Sequence, residues 1–255
     1  MISDRPLISI IVPVYKAERF IRNTMECIRN QTYDNWELLL VSDGDADRSA
    51  DIIREYINET GDGRIRLIKR TQKSSAAEAR NQGVDEAKGE LIAYIDADDI
   101  WEPEKLERQL EFMKRTKAVF SFTGYEFADE NGVGLGKVVH VPEKIGYRQA
   151  LKNTTIFTST VMFDLSGISR EEIHMPIIKS EDTALWFRIL RSGMTAYGLD
   201  ENLVKYRRAG ESLSSNKLEA LRRIWNLYRR AEGFNVPKSA YYFVFWAFNA
   251  VRRRV

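Results

Sequence analysis

The chain of 255 residues has a single cysteine, Cys27, so no internal disulfide can hold it together. A lone thiol fits a small core residue and a reducing compartment. There are only two histidines, His140 and His174, too far apart for a metal site, and both read as structural. No apolar run reaches the ~18–20 residues that span a bilayer; the longest, 240–251, is about twelve. The first six residues include Asp4 and Arg5 and lack an apolar core, so no signal peptide is expected. Charge of one sign is missing too. Lys and Arg total 39 against 37 Asp and Glu, a net +2, and no global field recruits nucleic acid. No Gly-x-Gly-x-x-Gly follows an early strand, which excludes a dinucleotide dehydrogenase.

What is present is an alternating pattern. Ile8 to Val14 is a β-branched run and reads as a buried strand closed by Pro13. Ile21, Met25 and Ile28 then keep helical spacing. Leu38 to Val41 is a second strand, followed by a helix with Ile52, Ile53, Tyr56 and Ile57 on one face and Asp47 or Ser49 as its cap. Ile65 to Ile68 is a third strand. Ser74 to Lys88 is a helix expected to stop at Gly89. Leu91 to Ile95 is a fourth strand, and a helix after Pro103 carries Leu106, Leu110 and Met113. Four strand–helix alternations predict an α/β fold with a mostly parallel central sheet and helices on both faces. Ligands of such sheets bind at the carboxyl ends of the strands. Beyond 110, Asn131-Gly132 predicts a hairpin between 118–127 and 133–141. Thr158 to Phe163 reads as a strand, Glu181 to Ser192 as a helix, and short strands are expected near Ala196 and Val204. Helix is expected from about Asn216 to the end.

Two of these strands end in aspartates, which therefore belong on one rim. Asp96-Ala97-Asp98-Asp99 places three carboxylates in four residues, costly unless a cation or bound donors compensate. Oxygen ligands of this kind suit Mg2+ or Mn2+. The same cluster also reads as a solvated acidic turn before Pro103. Asp43-Gly44-Asp45-Ala46-Asp47 imitates the start of a calcium loop, but Arg48 stands where its glycine belongs and Arg54 where its closing glutamate belongs. Calcium is excluded there. Glu181-Asp182 opens a helix, and either the helix dipole alone or a general base accounts for it.

In order, these signals are Pro13-Val14-Tyr15, Asp43-Gly44, Ala79-Arg80-Asn81-Gln82-Gly83, Asp96-Ala97-Asp98-Asp99, and Glu181-Asp182 ahead of Leu185-Trp186. Together they resemble the family 2 glycosyltransferases, which have the GT-A nucleotide-diphospho-sugar transferase fold. The likeness is dense from Ser9 to Leu110, returns from Glu181 to Ser215, and is loose between. The tail, with Tyr206-Arg207 and Ser212 to Lys217, is similar to that of bacterial enzymes building capsule, teichuronic-acid or lipopolysaccharide glycans. The resemblance implies that Pro13, Val14, Tyr15 and Glu18 flank the nucleotide and that Asp43 accepts the ring N–H of the base, usually uracil. It implies that Arg80 approaches the donor, that Asp96 contacts the ribose beside Ala97, and that Asp98 holds a metal, Mn2+ or Mg2+, with Asp99 assisting. Asp182 would be the catalytic base, with Glu181 beside it. Ser42, Lys16 and Ala209 depart from the family's pattern, which usually has Asp, Asn and His there. Arg207 and Arg208 offer positive charge in place of that histidine.

The expected activity is therefore inverting transfer of a sugar from a nucleotide-diphosphate sugar, a UDP-sugar above all, to a hydroxyl of a glycan or lipid-linked acceptor. A non-catalytic scaffold that binds nucleotide sugar is the alternative. A sugar-nucleotide pyrophosphorylase would need a glycine-rich loop where Tyr15-Lys16-Ala17-Glu18 stands. The expected organisation is a domain over 1–215, with a nucleotide half (1–110) and an acceptor half (111–215), and a helical extension over 216–255. The aromatic stretch after Lys238, followed by Arg252-Arg253-Arg254, reads as a packed core helix, a homodimer contact, or a helix lying on a membrane. The expected location is cytoplasmic, at the inner face of the membrane in the last case.

Overall fold

A computed structural model describes residues 2–42, 47–70, 75–152, 155–208 and 217–252. Strands β1 (Ile8–Val14), β2 (Trp36–Ser42), β3 (Ile65–Lys69) and β4 (Leu91–Tyr94) alternate with helices α1 (Ile21–Arg29), α2 (Ser49–Thr60) and α3 (Ala76–Glu86). Next come β5 (Ile100–Trp101), α4 (Lys105–Thr116), β6 (Phe120–Ala128), β7 (Gly134–Val139), β8 (Lys144–Ile145) and α5 (Tyr147–Lys152). After a 3₁₀ turn at Thr158–Thr160 the chain forms β9 (Met162–Asp164), α6 (Glu181–Arg191), β10 (Ala196–Arg207), α7 (Lys217–Asn226) and α8 (Val236–Arg252).

One mixed sheet runs β3-β2-β1-β4-β9-β6-β10-β5. Its long strands are parallel, and β9 is inserted antiparallel to both β4 and β6. Because the inner strands are covered on both faces, they read as continuous apolar runs rather than alternating ones. Side chains of alternate sign of pleat feed two cores. Ile10, Val12, Leu38 and Leu40 pack with α1, α2 and α4 through Ile21, Met25, Ile53, Leu106 and Met113. Ile11, Leu39, Phe120 and Phe163 pack with α3, α5 and α6 through Val84, Leu151, Leu185 and Trp186. Residues 217–252 join the second core: Leu227 and Tyr228 are buried in it, and Tyr242, Phe243 and Trp246 lie against it.

Several expectations need correction. Pro13 does not close β1; it pairs in register with Val41, and the strand runs on to Val14. Its ring lies on the same side of the ladder as Ile11, whose carbonyl takes the last bond from that neighbour, from Ile95 N (3.2 Å). The missing N–H of Pro13 therefore falls beyond the paired length of β4. Helix α3 starts from a capping box in which Ser75 Oγ accepts Glu78 N and Glu78 accepts Ser75 N. It does not end on a left-handed glycine: it stops at Glu86 with Ala87 extended. Gly89 serves another purpose, since a Cβ there would stand 2.6 Å from Leu7 O. The 158–163 segment is a 3₁₀ turn followed by β9, because its hydroxyls turn to polar partners instead of alternating across a pleat. The two short strands near Ala196 and Val204 are one strand, β10, with register shifts between Leu199 and Asn202 and between Asn202 and Lys205. Asp43 to Ala46, Ser74, Ala209 and Ser212 to Asn216 lie outside the described residues.

Candidate active site

The carboxyl ends of β1, β2 and β4 meet on one rim, with β1 in the middle. The loop after β1 passes Tyr15, half-exposed, and Lys16, a non-glycine residue at φ 50°. It is tied to the loop after β2 by reciprocal bonds. Asp47 accepts Glu18 N (3.0 Å), Glu18 accepts Arg48 N (3.1 Å), and Ser49 Oγ accepts Ala17 N (2.9 Å). Asp47 also accepts Ser49 N (3.0 Å), but the cap position of α2 is Arg48, which makes no side-chain cap bond, so neither Asp47 nor Ser49 is the cap that the sequence suggested. Glu18 is thus engaged in loop geometry at the rim where the nucleotide was expected.

Across β1, the loop after β4 carries the aspartates. Asp96 and Asp98 are partly exposed, and Ala97 is buried, its carbonyl accepting Thr24 Oγ1 (2.9 Å). Asp99 is not placed to assist a metal. It is 0% exposed, its carboxylate accepting Ser159 Oγ and Arg207 N (3.2 Å). Adjacent residues at a tight turn point opposite ways, and the cluster divides into an outward pair and an inward anchor. Burial, then the charges of Asp98 and Asp96, pushes the Asp99 carboxyl well above its ordinary range. Ser159 was not singled out from sequence, yet it also accepts Asp96 N (3.0 Å), so one hydroxyl sets the loop.

Arg80, on α3, is the joint of the site. It is 5% exposed, donating to Asp96 on one side and to Glu181 (3.2 Å) on the other. Burial opposes its charge, but Asp96, Glu181 and Asp182 outweigh it and raise its pKa. The next residue, Asn81, fixes Met175 by a pair of bonds to its carbonyl (2.9 Å) and amide (2.6 Å). That pins the segment leading to α6. Ser180, just before Glu181, is held left-handed at φ 61°. A strained non-glycine residue beside a cluster of carboxylates is typical of a functional site. Asp182 lies next in the first turn. Its Oδ1 accepts Thr183 N (2.6 Å) and its Oδ2 accepts Thr158 Oγ1 (3.3 Å). Burial and Asp182 together raise the pKa of Glu181. Thr158 is the second residue that sequence reasoning missed; the Thr-Ser-Thr run was visible but read as strand.

The remaining charges define what the site would accept. Burial, then Asp96, pushes Asp98 up to about 6, an excess of negative charge that a cation would relieve. Among the described residues no three His, Cys, Asp or Glu side chains could hold an ion unaided. A single carboxylate with substrate oxygens and water is the usual arrangement for Mg2+ and Mn2+. Arg207 is the complement: 2% exposed, stacked 4.6 Å from the Phe20 ring, with Nε, Nη1 and Nη2 lacking hydrogen-bond partners. Burial lowers its pKa against the pull of Asp98 and Asp99. A buried cation without a bound anion is costly. The residues present therefore fit a metal paired with an anion.

Comparison with known proteins gives the family and the fold. The chain is 40% identical over its whole length, and the relative's, to a Bacillus subtilis protein named for teichuronic acid biosynthesis, TuaG. It is 36% identical, over 88% of this chain and 86% of the relative, to UDP-Glc:alpha-D-GlcNAc-diphosphoundecaprenol beta-1,3-glucosyltransferase WfgD of Escherichia coli. Among solved structures, S. aureus TarS in complex with UDP-GlcNAc superposes with a TM-score of 0.69 at 18% identity, covering 94% of this chain and 71% of TarS. The mannosyltransferase PcManGT of Pyrobaculum calidifontis, in complex with GDP-Man and Mn2+, gives 0.70 at 16% identity, covering 91% and 66%. These likenesses establish the GT-A-type fold. Residues 9–171 match the family described as Glycosyl transferase family 2, and the chain belongs to that family of glycosyltransferases.

Proposed function

We propose that this protein is an inverting, metal-dependent glycosyltransferase of bacterial surface-polysaccharide synthesis, moving a sugar from a UDP-sugar to a hydroxyl of a lipid-linked saccharide. The observation that carries the reading is the Arg80 bridge between Asp96 and Glu181, which brings the loop after β4 against the helix that carries Asp182. The relatives support the substrate classes: WfgD is named for UDP-Glc and a diphosphoundecaprenol-linked acceptor, and TarS was solved with UDP-GlcNAc.

In this reading the nucleotide lies on the loop after β1, with Pro13, Val14, Tyr15 and Glu18 beside it and Asp43 at the base. Asp96 meets the ribose. Asp98 would hold the divalent cation, Mn2+ or Mg2+, which when bound neutralises charge on the diphosphate leaving group. Arg207, otherwise unpartnered, would meet oxygens of the same diphosphate. Stabilisation that grows as the leaving group gains charge lowers the barrier rather than only tightening binding. Asp182 takes the proton of the attacking hydroxyl, with Thr158 holding its second oxygen in place. Attack from the face opposite the diphosphate inverts the anomeric carbon. Glu181, neutralised by Arg80, orients rather than abstracts.

The test is calorimetric titration with UDP, GDP, dTDP and CDP, each with and without Mn2+, on the wild type and Asp182→Asn. Metal-dependent binding of UDP alone is expected in both proteins, with turnover of the variant down about 100-fold or more. Near-normal turnover in Asp182→Asn would remove the base from this account. Nucleotide binding by a wild type that shows no turnover would favour the scaffold alternative, and binding of none of the nucleotides would overturn the transferase reading.

A further inference from the structure

Helix α8 settles on the body of the protein by one face only. Ser239 is fully buried, and Tyr242, Phe243 and Trp246 lie against the core. The Tyr242 ring is 6.2 Å from Tyr228 and 5.7 Å from Phe234, Phe243 is 5.6 Å from Trp225, and Asn249 Nδ2 donates to Lys152 O (3.4 Å). Ser239, Tyr242, Phe243, Trp246 and Asn249 stand at i, i+3, i+4, i+7 and i+10, the spacing of one helical stripe. The opposite stripe is apolar as well and faces out: Tyr241 is 50% exposed, Val244 66%, Phe245 38% and Phe248 66%. Spaced at i, i+3, i+4 and i+7, they form a continuous ridge. Isolated exposed apolar residues are ordinary; an aromatic ridge along one helix marks an interaction surface.

Charge decides among partners. The α8 sequence has no acidic residue, and Lys238 and Arg252 stand near its two ends. Lys152, from α5, lies over the rings of Tyr241 (5.7 Å) and Phe245 (4.8 Å). A second copy of the chain meeting this ridge about a two-fold axis would bring cations against cations. An anionic bilayer offers the opposite sign, and the aromatic rings fit its headgroup boundary, with the lysine stems reaching the phosphates. Among the described residues no helix is long and apolar enough to cross a membrane, so contact would be at the surface.

We infer that the outer face of α8, with Lys152 beside it, docks the protein on an anionic lipid surface. This rests on the transferase reading only for its purpose, the presentation of a lipid-borne acceptor. The docking itself follows from the ridge and its charge.

The experiment is sedimentation of the full chain with vesicles of phosphatidylcholine alone, or containing phosphatidylglycerol, at low and high salt. It compares the wild type with a Val244→Glu/Phe248→Glu variant and with Lys152→Glu. Calorimetric UDP binding with Mn2+ and thermal unfolding are measured in parallel. The wild type should bind the phosphatidylglycerol vesicles and lose most of that binding at high salt. The double variant should bind at least tenfold more weakly and Lys152→Glu severalfold more weakly, with UDP affinity and unfolding temperature unchanged. Equal vesicle binding by wild type and double variant overturns the inference. So does a failure of the wild type to bind. A third overturning result is a double variant that changes only from dimer to monomer, which would make the ridge a self-association face. Loss of UDP binding in the wild type would strike the transferase reading and leave the vesicle result standing.

Discussion

The first half of the sheet and the second half reach the same rim by different routes. In β1 to β4 every connection is a helical crossover, the strands pair in unbroken register, and the carboxyl ends of β1, β2 and β4 share the rim. In β5 to β10 the pairing mixes directions, β10 shifts register twice, and the residues that reach the site come from a 3₁₀ turn, a helix start and the end of β10. In the proposed reading the first half would bind the donor by loop backbone and a few carboxylates. The second half adds the hydroxyls of Thr158 and Ser159 and the proposed base, Asp182, held by side-chain bonds. On that proposal a regular frame would hold what is common to nucleotide donors, and an irregular one would be free to change with the acceptor.

Removing Asp98 should break the first half's function most completely. Asp98→Asn is expected to weaken Mn2+-dependent UDP binding by about 100-fold or more, read by calorimetry. The same substitution should stabilise the free protein. The folded carboxyl sits near 6, above its unfolded value, because burial and Asp96 disfavour its charge. The folded state thus holds the extra proton over that interval, and the free protein loses stability as pH rises from about 4 to 6. At pH 7 the amide should recover on the order of 1 kcal/mol of that loss, measured as a higher midpoint in urea. A lower midpoint would mean that Asp98 is structurally committed, as Asp99 is.

The seam between the halves should be the next most sensitive. Arg80→Met leaves Asp96 and Glu181 facing each other without their shared cation. Breaking a buried pair from one side costs about 3–5 kcal/mol. For a chain of this size that lowers the unfolding temperature by roughly 6–15 °C. Arg108 makes a bidentate ion pair with Glu201 on the surface, so Arg108→Ala is the control, and its shift should stay within about 1 kcal/mol. Equal shifts at the two positions would deny Arg80 its place as the joint.

The two halves also differ in how far the sequence discloses them. The strand–helix alternation of the first half is legible because each inner strand is a run such as Leu38 to Val41 and each helix keeps one apolar stripe. The carboxylates at the strand ends follow from that alternation. What the sequence hides is direction at a single residue. Nothing in Asp96 to Asp99 distinguishes the outward Asp98 from the inward Asp99; that depends on Ser159, sixty residues on. Pro13 misleads because a missing donor matters only on the paired side of a strand. In the second half, Thr158 and Ser159 are hidden by their own composition, since β-branched and hydroxyl residues favour strands until a tertiary partner claims them. The register shifts of β10 arise from pairing with β6 and leave no periodic mark. The left-handed Ser180 is invisible for the same reason.

Those neighbouring hydroxyls give the finest division of the comparison, because one turn serves both halves. The Ser159 hydroxyl bonds to Asp99 and to the amide of Asp96; the Thr158 hydroxyl bonds to Asp182. Ser159→Ala leaves the buried Asp99 carboxylate with one donor fewer and should cost about 1–3 kcal/mol of stability, with weaker UDP binding. Thr158→Val keeps the shape and removes a single long hydrogen bond. Stability and UDP affinity should hardly move, while kcat falls about three- to tenfold, the kinetic equivalent of one modest bond that keeps the base aimed. Steady-state kinetics with donor and acceptor varied in turn would read the difference. If Thr158→Val weakens UDP binding as much as Ser159→Ala does, the turn acts as one unit and Thr158 has no separate hold on Asp182. If kcat alone falls, two adjacent residues divide the site between binding the donor and aiming the base.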